Sequence, residues 1–184
     1  VLPRVLFSGI RSHWEMMQQE TKLAAPLSKL TLPPQSAGTA DWLNWLTSAE
    51  ESFHVASDPS SGEVWWYEET RHRINSVLRI VREYLPWLDA RFETLRHVRE
   101  FAISVDVDSV NLEQAEAFAG QLEKKLSNAV AARTSHHELA AQLEELLPGA
   151  ARRLHDLVGR LRQIAHDAER LAEQTDFSFL VHPG

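Results

Sequence analysis

From about Ala150 to Gln174 one apolar stripe recurs without a break: Leu154, Leu157, Val158, Leu161, Ile164, Ala165, Ala168, Leu171 and Ala172. Spacings of three and four residues place all of them on one side of an α-helix, and the stripe repeats every seven residues. At 1.5 Å per residue the segment predicts a rod on the order of 35–40 Å long. An apolar stripe of that width is expected to pack on neighbouring helices, so the economical architecture is a bundle of long antiparallel helices.

The rest of the chain reads in the same key. Leu6 to Leu23 predicts a helix with Ile10, Trp14, Met17 and Thr21 on one stripe. Pro26, Pro33 and Pro34 break it, and residues 35–38 form a loop. Thr39 is placed to cap a second helix buried through Trp42, Leu46, Ala49, Phe53 and Ala56. After a turn over 57–62, Ser60 and Glu63 have capping-box spacing for a third helix. That helix, buried through Ile74, Val77, Leu78, Val81, Tyr84 and Leu85, ends before Pro86, because proline disfavours helical geometry in the residue before it. A shorter helix then carries Leu88, Phe92, Leu95 and Val98. Residues 103–110 are the least helical interior stretch, a possible sub-boundary near 103–111. Asn111 and Gln114 open the next helix, with Leu112, Ala115, Phe118, Ala119, Leu122 and Leu126 inward. Ser135 and Glu138 are spaced as a further capping box ahead of Leu139, Leu143, Leu146 and Leu147, and Pro148-Gly149 is expected to interrupt. The fold class is therefore all-α: an elongated antiparallel bundle of about six or seven helices spanning 1–175. A short extended tail over 176–184 follows, in which Phe177, Phe179 and Val181 alternate with polar residues.

Composition excludes several classes of function. The 184 residues carry a net charge of −7, which argues against nucleic-acid partners, since phosphate binding needs a dense cationic surface. No apolar run reaches the ~20 residues of a membrane helix, so direct membrane insertion is not expected, and the segment reads as soluble. With no cysteine in the chain, disulfides, thiolate nucleophiles and Cys-ligated metals are absent.

Candidate chemistry is sparse. Asp106-Val107-Asp108 has the spacing with which glycosyltransferases hold a metal and a sugar-nucleotide diphosphate, but that element sits at a strand end, and here helices flank it. The same residues fail as a calcium loop, with Asn111 where glycine and Ala117 where glutamate are required. A solvated turn is the simpler reading. His136 and His137 face apart, and His155 and His166 lie three turns apart, so no metal site is expected. Glu68 with Glu69, and Glu144 with Glu145, diverge by about 100° on a helix and cannot flank one glycosidic bond. No Gly-x-Ser-x-Gly elbow positions a nucleophile. No catalytic residue and no cofactor is expected. Arg152, Arg153, Arg160, Arg162 and Arg170 alternate with Asp156, Asp167, Glu169 and Glu173, as on a solvent-facing, ion-paired helix.

Among the six tryptophans, Trp14, Trp42 and Trp87 fit apolar stripes. Trp65-Trp66-Tyr67 differs, because three consecutive aromatics cannot face one way on a helix. Tyr67 leads into Ile74 and Val81, whereas Trp65 lines up with His72 and Arg79. One ring is thus expected to be partly exposed, docked against another domain, stacked on a sugar face, or lying flat over the end of the bundle. Docking is the preferred reading. Trp65, Trp66, His72 and Arg79, with Phe177 and Phe179 of the tail, are the candidate glycan- or domain-docking residues.

The closing phrase Asp176, Phe177, Phe179, Leu180 and Pro183 follows the pattern Asp-Phe-x-Phe-Leu-x-x-Pro. This tail resembles a segment of the bacterial cyclic β-1,2-glucan synthases, in which a variable helical stretch ends in that phrase and leads into a glycoamylase-type domain. Trp66, Leu85-Pro86-Trp87-Leu88 and the opening Val5–Ile10 segment also resemble that helical stretch. The family's members are large inner-membrane enzymes that polymerise glucose from UDP-glucose and cyclise the chain. The resemblance implies a non-catalytic spacer or scaffold cut from such an enzyme, on the cytoplasmic side of the membrane. Its partners would be neighbouring domains of the same polypeptide and, in an alternative, the growing β-glucan; Phe177 and Phe179 would be under-packed in isolation. No catalytic residue of the family maps onto these positions. A free-standing helical adaptor is the third class.

Overall fold

In a computed structural model, the structure describes residues 4–20, 23, 25–56, 64–98, 110–131 and 136–175, with the backbone alone for 4–6. Among the described residues six α-helices follow in order: α1 (Arg4–Glu20), α2 (Thr39–Val55), α3 (Val64–Tyr84), α4 (Glu93–Arg96), α5 (Leu112–Ala131) and α6 (His137–Gln174). Short 3-10 turns occupy Leu27–Lys29, Pro86–Leu88 and Ala90–Phe92. No strand occurs among the described residues, and none of their helices is long and apolar enough to cross a membrane. The all-α helical bundle stands.

The apolar stripes account for the packing. On α1, Phe7, Ile10, Trp14 and Met17 are buried and meet both α2 and α3. Phe7 stacks on Trp42 at 5.2 Å, and Trp14 takes Trp45 and Phe53 edge-on at 4.9 and 6.3 Å. His13 lies against Trp66 near the start of α3, while Ile10 shares a groove with Ser76, Val77 and Ile80 further along it, so α1 and α3 run antiparallel. Leu85 leaves helical geometry ahead of Pro86 (φ −135°, ψ 50°). From here Trp87 reaches Phe118 of α5, ring centres 5.3 Å apart, and Arg153 of α6 donates to the Glu83 carbonyl at 3.2 Å. These contacts join the α5/α6 hairpin to the α1–α3 layer around one continuous core. Each fully buried large side chain in it contributes roughly 1.5–3 kcal/mol.

Helix ends follow local chemistry. Asn111 and Gln114 form the expected reciprocal box, each side chain accepting the other's backbone N–H at 2.8 and 2.9 Å. The cap of α2 is Gly38 rather than Thr39: its N–H donates to Asp41 at 3.2 Å, and Thr39 is buried inside the first turn. The expected single helix over 88–98 is instead two 3-10 turns and the four-residue α4, because Asp89 accepts the Arg91 N–H and starts a new turn there.

Two expectations about α6 are corrected. Pro148 does not interrupt it; one helix runs from His137 to Gln174. Leu143, Leu147, Ala150 and Leu154 are buried in unbroken register while Pro148 is exposed, so the helix forgoes the N–H bond to the Glu144 carbonyl without moving its apolar face. Leu146 is likewise exposed. Nor does the whole stripe pack: Leu154 and Val158 are buried, but Leu161, Ile164 and Leu171 are 46, 64 and 61% exposed. The reason is length, since α6 has 38 residues against 20 in α5. The tail over 176–184, the Asp106–Asp108 turn, and the Ser60, Glu63 and Ser135 capping residues lie outside the described residues.

Candidate functional site

The first turns of α3 carry Trp65, Trp66 and Tyr67 in three directions. Tyr67 turns inward, with its hydroxyl donating to the Phe53 carbonyl at 3.4 Å and its ring edge-on to Phe53 at 4.8 Å. That anchorage fixes the helix rotation. Trp66 is half-buried and Trp65 stands out, 59% exposed. The two indoles meet edge-on at 4.5 Å, and the His13 ring of α1 packs against both, 5.5 Å from Trp66 and 6.2 Å from Trp65. Trp65 is thus a protruding ring on a braced platform.

His13 is the residue that sequence reasoning missed. Its only signal is that it completes an i, i+3, i+7 series with Ile10 and Met17, beside the stripe through Trp14. Its Nδ1 is buried without a hydrogen-bond partner among the described residues. Burial, with the nearby Arg73 cation, pushes its pKa below the ordinary histidine value, against an opposing pull from Glu69. The ring is therefore neutral near pH 7.

Along α3 the platform continues into a groove of about 310 Å³ lined by Ile10, Glu69, His72, Arg73, Val77 and Ile80 among others. Glu69 and Arg73 close an ion pair across its wall at 2.7 Å. Trp65 and Trp66 thus stand together at the start of α3, while His72 lines the groove two turns from Trp65. Arg79 lies two turns beyond His72, exposed, paired with Glu83 at 3.6 Å. Phe177 and Phe179 lie outside the described residues. A second recess, about 210 Å³, sits where Phe7 stacks on Trp42, and Arg11 fills part of it, its guanidinium 5.3 Å from the Trp42 ring and donating to the Pro33 carbonyl.

Chemically, the platform offers an indole edge and face, an imidazole and one ion pair. It suits an apolar or CH-rich surface rimmed by polar groups. Among the described residues no group of three or more His, Asp or Glu is placed to hold a metal ion. Comparison with family models, with curated proteins and with solved structures finds no match to this chain.

Proposed function

We propose that this chain is a non-catalytic helical scaffold of a cyclic β-1,2-glucan synthase-like multidomain enzyme that uses UDP-glucose, positioning the glycoamylase-type domain. The observation that carries the docking part of this reading is Trp65: a large indole, 59% exposed, braced by Trp66 and His13 rather than left on a loop. Exposed aromatics on rigid supports are what interfaces recruit as anchors. The tail phrase from Asp176 to Pro183 supports the family and the neighbour. In this reading the enzyme's partners are its own adjoining domains, and its place is the cytoplasmic side of the inner membrane.

A second reading has an observation of its own. Trp65 is exposed at the start of the helix whose groove is lined by Glu69, His72 and Arg73, and an indole near polar groups also stacks on sugar faces, so the platform would guide the growing glucan.

Tryptophan fluorescence separates the two. Adding a glycoamylase-type domain of the family should give a saturable change that Trp65→Ala abolishes, with no change on adding β-1,2-glucan. Saturable quenching by the glucan, lost in Trp65→Ala, would replace the scaffold reading by the glycan one. No response to either ligand would overturn both.

A further inference from the structure

We infer that the exposed half of α6 is a self-association surface on which a second copy of this chain seats antiparallel. The surface is distinct from the Trp65 platform and does not depend on the reading of it.

The helix carries one heptad series throughout, Leu147, Leu154, Leu161 and Ala168 alternating with Leu143, Ala150, Leu157, Ile164 and Leu171. Its first half is filled by α5. The pairing ends where α5 begins: Glu116 holds His155 at 2.9 Å, and Glu113 holds Arg162 at 2.5 Å. Beyond that point Leu161, Ile164 and Leu171 are exposed, together with Ala165, Ala168 and Ala172. Such a seam wants the knobs of another helix in its holes. Where α5 stops, the step forms an open groove of about 570 Å³ whose apolar walls are Val110, Leu112, Val158, Leu161 and Ala165.

Charge and register select the occupant. Arg162 lies on the flank of the stripe nearest α5, and Glu169 lies one heptad further along the same flank; Glu169 makes no ion pair among the described residues. In a parallel copy the flanks that carry Arg162 and Glu169 would lie on opposite sides of the pair, and neither Arg162 would meet a Glu169. An antiparallel copy in the register that opposes Leu161 to Leu171 brings Arg162 beside the second copy's Glu169, and Ile164 beside its Ala168. The second copy's Leu171 then enters the groove at the step, taking the place α5 would hold if it were longer. Six large apolar side chains, three from each copy, leave water together. That is a small interface, in the class of reversible complexes below about 1,200 Å², so the dimer should be half-formed somewhere between roughly 1 and 100 μM.

Sedimentation equilibrium over that range tests it. The mass should rise from 20.9 kDa toward twice that value. Ile164→Glu or Leu171→Glu, both at exposed positions that leave the fold alone, should return it to monomer, while Val55→Glu, an exposed apolar position elsewhere, should not. Because the chain has no cysteine, Ile164→Cys mixed with Ala168→Cys reports polarity: the mixed disulfide should form several-fold faster than either self-pair. A monomer at every concentration, a dimer indifferent to Ile164→Glu, or preferential self-pairing at 164 would each overturn the proposal.

Discussion

Arg82 of α3 grips Glu50 of α2 with both guanidinium arms, at 2.9 and 2.5 Å, and turns its Nε to Asp89 at 3.3 Å. One side chain thus ties α2, α3 and the turn after Pro86. Asp89 is the buried member, and it also accepts the Arg91 backbone N–H and guanidinium. Losing it would remove the buried acceptor that Arg82 and Arg91 share. Asp89→Ala is expected to cost about 1–3 kcal/mol, whereas Glu50→Ala, removing half of a more exposed pair, should cost under about 1 kcal/mol. Urea unfolding of the two variants measures the difference, and an equal loss would contradict the ranking.

The same carboxylate sets an acid limit. Burial alone would raise the Asp89 pKa, but the hydrogen bonds and charge of Arg91, with the charge of Arg82, outweigh it and hold it below the ordinary 3.8. A group with a depressed folded pKa contributes stability that is full above 3.8 and is lost as pH falls through the lower folded value. The stability gap between the native chain and Asp89→Asn should therefore be constant from pH 7 to about 5 and narrow below 4. A gap that holds at pH 3 would show that Asp89 acts by its shape alone.

His13 predicts a second, milder slope at higher pH. Its pKa lies below 6.5 in the fold, from burial and the Arg73 cation. The unfolded chain therefore takes up a proton first, and the His13 contribution is full above 6.5 and declines between 6.5 and the lower folded value. Thermal midpoints of the native chain should fall on acidification across this window, and His13→Phe should remove that part of the fall. Parallel curves for the two proteins would refute it.

Proline in α6 should be replaceable at a gain. Pro148 is exposed within a helix that passes straight through it. Pro148→Ala restores the missing N–H bond to the Glu144 carbonyl and should stabilise the chain by on the order of 1–3 kcal/mol. Circular dichroism melts would show the midpoint rising; a fall would mean that the proline sets a bend the packing needs.

Two tryptophans should separate cleanly. Trp14→Ala removes a fully buried ring from the α1–α2 contact and should cost about 3–5 kcal/mol. Trp65→Ala should change stability by less than about 1 kcal/mol, since its ring is mostly in water already. Denaturant midpoints decide, and a large loss at Trp65 would make the platform a structural element.

What the residues disclose in advance is the local part of the fold. The Asn111–Gln114 box, the stop at Pro86 and the inward faces through Ile74–Val81 and Ala115–Leu126 depend on neighbours within a few positions, so spacing exposes them. At Pro148 residue type points to a break, but the apolar register from Leu143 through Leu154 runs past it and decides the outcome. The rest is non-local. That His13 of α1 braces Trp65 and Trp66 across the α1–α3 contact, or that Glu50, Arg82 and Asp89 converge, depends on which helices meet and at what angle. The fate of Leu161, Ile164 and Leu171 turned on where α5 starts, a property of another segment altogether. Trp65, His72 and Arg79 follow one another at two-turn intervals along α3, but only Trp65 joins the aromatic platform: His72 lines the groove and Arg79 pairs with Glu83.

The unbroken passage of α6 through Pro148 has a mechanical meaning. Its root, from Ala140 to Val158, is clamped in the core, and the remaining sixteen residues to Gln174 extend about 24 Å. A tilt of 5° at the root would swing the tip by only about 2 Å. The helix therefore behaves as a stiff cantilever, so whatever seats near Leu171 is held at a set distance and bearing from Trp14 and the rest of the aromatic core.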